Sequence, residues 1–170
     1  PGASFGGLVM HNEGFSTMCG HGIIAMATVA VETGMAPAVE PTTLLAIDTP
    51  AGLVRVAASV EGGRVREVRF TNVESFVLAT DQVVEVPGLG ALRYDLAFGG
   101  AFYAYVDAGQ LGLDLVPERA GDLIRTGRAI TASVAASRAI EHPFEPALGF
   151  LYGTIFVSPP RSEGAHSRHV

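Results

Sequence analysis

The feature that most constrains this chain is an apolar segment that runs from Gly20 to Thr33. Its apolar residues are Ile23, Ile24, Met26, Ala27, Val29, Ala30 and Val31. On a helix these residues would cover nearly every face, and such a helix belongs inside a core, so we expect strands to wrap around it. Ser16 and Thr17 lie where its N-cap is expected, and Gly34 supplies a stop.

Strand-like segments occupy most of the remaining sequence. They are residues 5–11, 43–48, 53–57, 64–70, 76–78, 82–86, 92–98, 101–106 and 149–157. Their close spacing and glycine-rich turns predict antiparallel hairpins. A second helix is expected to open at Pro117 and to end at His142-Pro143. The order of elements therefore predicts an α+β fold with two lobes, and Pro87–Gly90 is the expected boundary between them.

Composition argues against several classes of function. The net charge is −6 and no basic stripe is present to neutralise phosphates, so nucleic-acid binding is not expected. All eleven basic residues are Arg, so the chain offers no lysine for a Schiff base or a P-loop. The longest apolar run, residues 22–31, is too short for a bilayer, and no signal peptide is visible. We expect a compact cytoplasmic protein without membrane contact, and the single cysteine agrees with reducing surroundings.

That cysteine, Cys19, lies in the motif Met18-Cys19-Gly20-His21-Gly22 just before the apolar helix. At a helix start a thiol meets backbone N–H groups and the positive end of the helix dipole, and both stabilise a thiolate. Gly20 and Gly22 would let a substrate carboxylate approach those N–H groups, while His21 could donate a hydrogen bond. A lone cysteine is also commonly a small buried apolar residue. The residues alone leave both interpretations open.

Other polar and glycine-rich positions have simpler interpretations. A metal site at Cys19 and His21, with His11 approaching from the preceding strand, is disfavoured because an i,i+2 spacing places helical side chains on different faces. Asn12-Glu13-Gly14 is expected to form a turn. Gly99-Gly100 indicates either a bulge or a close approach of the backbone to a ligand. We therefore expect no metal, and we expect the aromatic residues around these glycines to lie in the core.

The cysteine motif resembles the proline racemase superfamily, which includes proline racemases, 4-hydroxyproline epimerases and trans-3-hydroxy-L-proline dehydratases. Residues 11–25 are similar to the segment around the family's first catalytic cysteine. Residues 98–106, 111–114 and 150–155 resemble later segments of the dehydratase branch. Racemases and epimerases more often carry Asn where this chain has Ala101. The resemblance covers nearly the whole chain.

This resemblance implies a fold of the diaminopimelate-epimerase type, with pseudo-symmetric lobes that each place antiparallel strands around a central helix. It implies that Cys19 is the first catalytic residue and that Gly20, His21 and Gly22 line the substrate site. No cofactor is expected, because a Cys thiolate would remove the α-proton of proline or hydroxyproline while helix N-termini stabilise the developing charge. In the dehydratase branch the 3-hydroxyl group then leaves and a pyrroline-2-carboxylate forms, whereas epimerases and racemases reprotonate the opposite face. The oligomeric state stays open, a homodimer included.

One departure from the family pattern bears on the expected activity. Family members are much longer and carry a second motif, Asp-Arg-Ser-Pro followed by Cys, Ser or Thr, which this sequence lacks. We therefore expect residues 1–88 to be a first lobe without its N-terminal part, and residues 89–170 to be the beginning of a second lobe. Two alternatives remain: the chain is an inactive fragment, or Cys19 is a redox-sensing thiol.

Overall fold

The computed structural model describes residues 2–12 and 14–170. The chain divides into two compact units, Pro1–Glu74 and Ser75–Val170. The boundary predicted at Pro87–Gly90 does not coincide with this division, because these residues form the turn of a hairpin inside the second unit. Gly88 and Gly90 each have a φ of 80°, which a tight reversal of the chain requires. A glycine-rich turn and a linker have the same composition, so the sequence alone does not separate them.

The first unit combines a four-stranded sheet with one helix and a short hairpin. In chain order it contains β1 (Phe5–Gly6), β2 (Val9–His11), β3 (Gly14–Ser16), α1 (Gly20–Glu32), β4 (Thr42–Thr49), β5 (Gly52–Glu61) and β6 (Arg64–Thr71). The sheet order is β1-β4-β5-β6, with β1 parallel to β4 and the other neighbours antiparallel. Strands β2 and β3 form the separate hairpin. Asn12 follows β2 in a turn conformation, whereas Glu13, the central residue of the predicted Asn12–Gly14 turn, lies outside the described residues.

Helix α1 packs one face against this sheet. The buried residues at the interface are Ile23, Ala27, Ala30 and Val31 of the helix with Leu45, Ile47, Val54, Val56 and Val60 of β4 and β5. On the outer side, Ile24 and Val29 are 42% and 54% exposed. Strands thus cover the side of α1 that faces the sheet, as expected. Part of the opposite side is not covered by any of the described residues. The uniformly apolar sequence did not reveal which face is buried.

The second unit is a five-stranded sheet that packs against the longer helix. It contains β7 (Phe76–Val86), β8 (Gly90–Phe98), β9 (Phe102–Asp107), α2 (Ala120–Ser137), β10 (Leu151–Ser158) and β11 (Arg168–His169). The sheet order is β11-β10-β9-β8-β7, and only the β9–β10 pair is parallel among these described strands. The two strands predicted at 76–78 and 82–86 are one strand with irregular pairing between Val77 and Gln82. Both units therefore have the α+β architecture predicted from the order of elements.

The ends of both helices follow glycine and proline signals. Thr33 is the C-cap of α1, and Gly34 follows it with a φ of 78°, in the left-handed region. Pro117 begins a short 3-10 turn, Pro117–Arg119, that leads into α2. Helix α2 already ends at Ser137, several residues before the predicted stop at His142-Pro143. In the part of the chain that the structure describes, no helix has both the length and the apolarity to cross a membrane.

The one-sided packing of α1 predicts different effects for two adjacent isoleucines. Ile23 is fully buried and Ile24 is 42% exposed. We expect Ile23→Ala to lower the free energy of unfolding of the first unit by about 3 kcal/mol, and Ile24→Ala by less than about 1 kcal/mol. The tyrosines all lie in the second unit, so the rate of alkylation of Cys19 in a urea series is the appropriate measurement. Equal losses for the two variants would contradict the packing described.

Candidate functional site

Cys19 is the N-cap of α1, at the junction between the loop after β3 and the helix. Its φ of −145° and ψ of 112° are extended, and the Ile23 N–H donates to the Cys19 carbonyl at 2.9 Å. The N–H groups of residues 20–22 therefore precede the intrahelical hydrogen bonds and point out of the helix start. The N-cap predicted at Ser16 or Thr17 is wrong, because the backbone does not become helical until after Cys19.

The loop that carries Cys19 is anchored by hydrogen bonds and by packing. Ser16 is buried, and its Oγ donates to the Met18 carbonyl at 2.8 Å. The Ala51 N–H, in the turn between β4 and β5, donates to the Thr17 carbonyl at 3.1 Å. Met18 itself packs against the apolar core of the first unit. These contacts attach the residues immediately before the thiol to the body of the unit.

The thiol and the imidazole of the motif are in contact. Sγ of Cys19 lies 3.3 Å from Nε2 of His21, within hydrogen-bond distance. The expectation that these side chains point to different faces was wrong, because Cys19 is an extended cap rather than a helical residue. Cys19 is partly buried, whereas His21 is exposed. The pair can share one proton, since a thiol can donate to a neutral imidazole nitrogen and a thiolate can accept from an N–H.

A metal centre at this pair would need more ligands than the two side chains supply, since structural and catalytic zinc sites use at least three protein ligands. Among residues 2–12 and 14–170, no group of three His, Cys, Asp or Glu side chains is placed to hold a metal ion.

Both glycines of the motif are points of close packing. A methyl group at Gly20 would lie 3.2 Å from Cζ of Phe70 in β6. A methyl group at Gly22 would lie 2.9 Å from Cγ2 of Val9 in β2. Carbon atoms favour separations of about 3.5–4.0 Å, so a side chain at either position would push a neighbour away. The expectation that these glycines let a substrate carboxylate approach stays a prediction. Val9 and Phe70 could not be predicted as their neighbours, because contacts between distant segments leave no local signal.

The paired glycines of the second unit lie in the turn between β8 and β9. Gly100 has a φ of 110°, and the Gly99 N–H donates to the Ala101 carbonyl at 3.2 Å. Phe98 and Phe102, which flank the turn, are buried with ring centroids 5.0 Å apart. The imidazole of His142 lies 4.7 Å from the Phe98 ring. This part of the aromatic cluster is therefore core, as expected, and the glycines serve a chain reversal.

Comparison with known proteins establishes the family. The family model described as proline racemase matches residues 1–170, and the chain belongs to this family. It is 45% identical, over 98% of its length, to a trans-3-hydroxy-L-proline dehydratase of Colwellia psychrerythraea, and 48% identical over 90% to a trans-L-3-hydroxyproline dehydratase of Xenopus tropicalis. It is 40% identical over 95% to a 3-hydroxyproline 2-epimerase of Burkholderia multivorans. The chain covers 47%, 44% and 48% of these relatives, about half of each.

Solved structures confirm the predicted fold class. A probable proline racemase from Agrobacterium radiobacter, with bound carbonate, matches with a TM-score of 0.92 and 30% identity, over 99% of this chain and 49% of that one. A hydroxyproline epimerase from Agrobacterium vitis, with bound trans-4-hydroxy-L-proline, matches with a TM-score of 0.89 and 30% identity. This match covers 96% of the present chain and 47% of the epimerase chain. The two compact units thus reproduce a proline racemase fold over about half of those chains.

The contact between thiol and imidazole predicts an effect of His21 on the reactivity of Cys19. We expect His21→Ala to slow the alkylation of Cys19 by iodoacetamide at neutral pH by about threefold, because the thiolate loses a hydrogen-bond donor. His166→Ala, in the polar segment of the second unit, is the matched control and should leave the rate unchanged. The same rate in the parent and in His21→Ala would contradict the pairing.

Proposed function

We propose that this chain supplies a thiol base to the active site of a cofactor-independent trans-3-hydroxy-L-proline dehydratase. The observation that carries the proposal is the 3.3 Å contact between Cys19 Sγ and His21 Nε2 at the start of α1. Identities of 45% and 48% to two dehydratases, against 40% to an epimerase, support dehydration over epimerisation. The family membership supports a proline-type substrate.

The proposed substrate contacts are the first N–H groups of α1. Gly20, His21 and Gly22 contribute N–H groups ahead of the first intrahelical hydrogen bond, at the positive end of the helix dipole. Such a helix start favours a carboxylate, which every proline-type amino acid carries. The trans-4-hydroxy-L-proline bound to the Agrobacterium vitis epimerase supports this substrate class. The α-carbon of a carboxylate held here would lie close to the neighbouring thiol.

The proposed reaction begins with transfer of the α-proton to the Cys19 thiolate. The electron pair of the broken C–H bond passes into the carboxylate, and the N–H groups at the helix start stabilise the resulting charge. The pair then forms a double bond between the α-carbon and C3 while the 3-hydroxyl takes up a proton from solvent and leaves as water. The ring enamine tautomerises to a pyrroline-2-carboxylate. His21 accepts the α-proton from the thiol, which returns Cys19 to the thiolate, and releases that proton to solvent.

Two other functions have specific support. Epimerisation uses the same first step but reprotonates the α-carbon, and the 40% identity to the Burkholderia multivorans epimerase favours it. A chain that binds substrate without turnover is favoured by the coverage of about half of each curated relative. The three functions differ in their products: a pyrroline, an inverted hydroxyproline, or neither.

A chimaera tests the role of Cys19. Residues 1–170 would replace the matching half of the Colwellia psychrerythraea dehydratase, to which they are 45% identical. We expect the chimaera to exchange the α-proton of trans-3-hydroxy-L-proline for solvent deuterium, and Cys19→Ser to lower that rate by about a thousandfold or more. Val29→Ala, at an exposed position on the same helix, is the control and should retain the rate. Full exchange by Cys19→Ser would refute the thiol as the base.

Product analysis separates dehydration from epimerisation. The 170-residue chain and any longer protein that carries it are each incubated with trans-3-hydroxy-L-proline, and the products are followed by NMR. Formation of a pyrroline-2-carboxylate is the expected result. Inversion at the α-carbon without pyrroline would establish epimerase activity instead. Turnover by the longer protein alone would assign the 170-residue chain a partial site.

A further inference from the structure

We propose that Val9 is a positioning residue for the Cys19 thiol and acts on it through Gly22. The inference rests on the proposed function only in taking that thiol to be the base. Its physical basis is the packing of strand β2 against the first turn of α1, where one valine side chain occupies the space that a side chain at Gly22 would need.

Gly22 is enclosed by two side chains. A methyl group there would come within 2.9 Å of Val9 Cγ2, 3.4 Å of Cys19 Cβ and 3.5 Å of Cys19 Sγ. The thiol therefore lies over the Cα of Gly22 on one side, and the valine packs on the same residue. Because Cys19 has no side-chain hydrogen bond to the helix start, packing and the contact with His21 are what orient it.

A second glycine contact shows that the segment from β1 to β2 lies along the helix. A methyl group at Gly7 would come within 2.5 Å of Sδ and 2.8 Å of Cε of Met26. Val9 follows Gly7 by two residues, which span at most about 6.6 Å, and Gly22 precedes Met26 by four residues, about 6 Å along the helix axis. The two spacings are similar, so a methionine of the helix packs on a glycine just before β2 and a valine of β2 packs on a glycine of the helix.

The two contacts differ in stiffness. Valine is branched at Cβ and has few accessible rotamers, whereas methionine has three flexible side-chain torsions and adapts to its surroundings. A methyl group added at Gly7 meets the flexible end of Met26 most closely and Ile47 Cγ2 at 3.3 Å, while one added at Gly22 meets the rigid Val9 at 2.9 Å. Val9 and Gly22 therefore set the separation between the hairpin and the helix start.

The backbone provides a second connection between Val9 and the thiol. In the hairpin, Val9 pairs with Ser16, and Ser16 Oγ donates to the Met18 carbonyl immediately before Cys19. A displacement of β2 is therefore transmitted to Cys19 both through Gly22 and through the loop. Met10 and Phe15, on the hairpin's outer face, are 73% and 57% exposed, so the hairpin contacts the helix start through its inner face.

The test compares thiol access in Gly22→Ala, Val9→Ala, the double variant and Gly7→Ala. The readout is the rate of alkylation of Cys19 by iodoacetamide at alkaline pH, where access rather than ionisation limits the reaction. We expect Gly22→Ala to raise the rate about fivefold by lifting the hairpin, and Val9→Ala/Gly22→Ala to return it to within about twofold of the parent. Gly7→Ala should stay within about twofold, because Met26 can move aside.

Val31→Ala separates positioning from a general loss of stability. It shortens a buried side chain on the same helix nine residues beyond Gly22, so its folded form should keep the parental rate of alkylation. An unchanged rate in Gly22→Ala, a failure of Val9→Ala to reverse the increase, or an equal increase in Gly7→Ala would each overturn the proposal. If Gly22→Ala does not fold, recovery of the fold and the parental rate in the double variant supports the proposal, and no recovery overturns it. The readout uses no substrate, so an absence of turnover would count against the proposed function alone.

Discussion

The close approach of two strands to the first turn of α1 is the constraint on which the described site depends. Phe70 of β6 fills the space beside Gly20, and Val9 of β2 fills the space beside Gly22. Both contacts require glycine at these two positions, which a helix otherwise disfavours, since glycine costs about 1 kcal/mol relative to alanine in a helix interior. At the first turn that cost is offset by packing that locates the helix start relative to the sheet and the hairpin. The thiol at the N-cap is located by the same contacts.

The chemistry of the site follows from the backbone conformation of one residue. Because Cys19 is extended, its side chain turns over the first helical turn and reaches His21 at 3.3 Å, while the N–H groups of residues 20–22 remain directed outward. The proposed base and the proposed carboxylate site thus occupy adjacent positions on a few consecutive residues. The acidic carbon and the carboxylate of an amino acid are themselves adjacent, so this arrangement suits the proposed removal of an α-proton. The family membership and the identities to dehydratases support the same proposal.

Much of the fold could be predicted because its signals are local. Alternation and turn glycines indicated the strands from β4 to β10, Gly34 indicated the end of α1, and Pro117 indicated the approach to α2. The predictions that were wrong depended on neighbours that are distant in sequence or on backbone conformation. Ser16 has the composition of an N-cap but bonds to Met18 instead, and the glycine-rich turn at Pro87–Gly90 has the composition of a linker. The buried face of α1 could not be identified because the sequence is apolar on all sides.

The sequence by itself determined the α+β class, the family and the identity of the candidate base, because periodicity, turn residues and a specific motif are all properties of consecutive residues. Only the tertiary structure decided that the thiol meets the imidazole, since this depends on an extended cap that propensity does not specify. Only the tertiary structure decided the role of the glycines, since the atoms that fill the space beside them belong to Val9 and Phe70. The sequence shows that Gly20 and Gly22 have no side chains, and the fold determines which atoms occupy the space beside them.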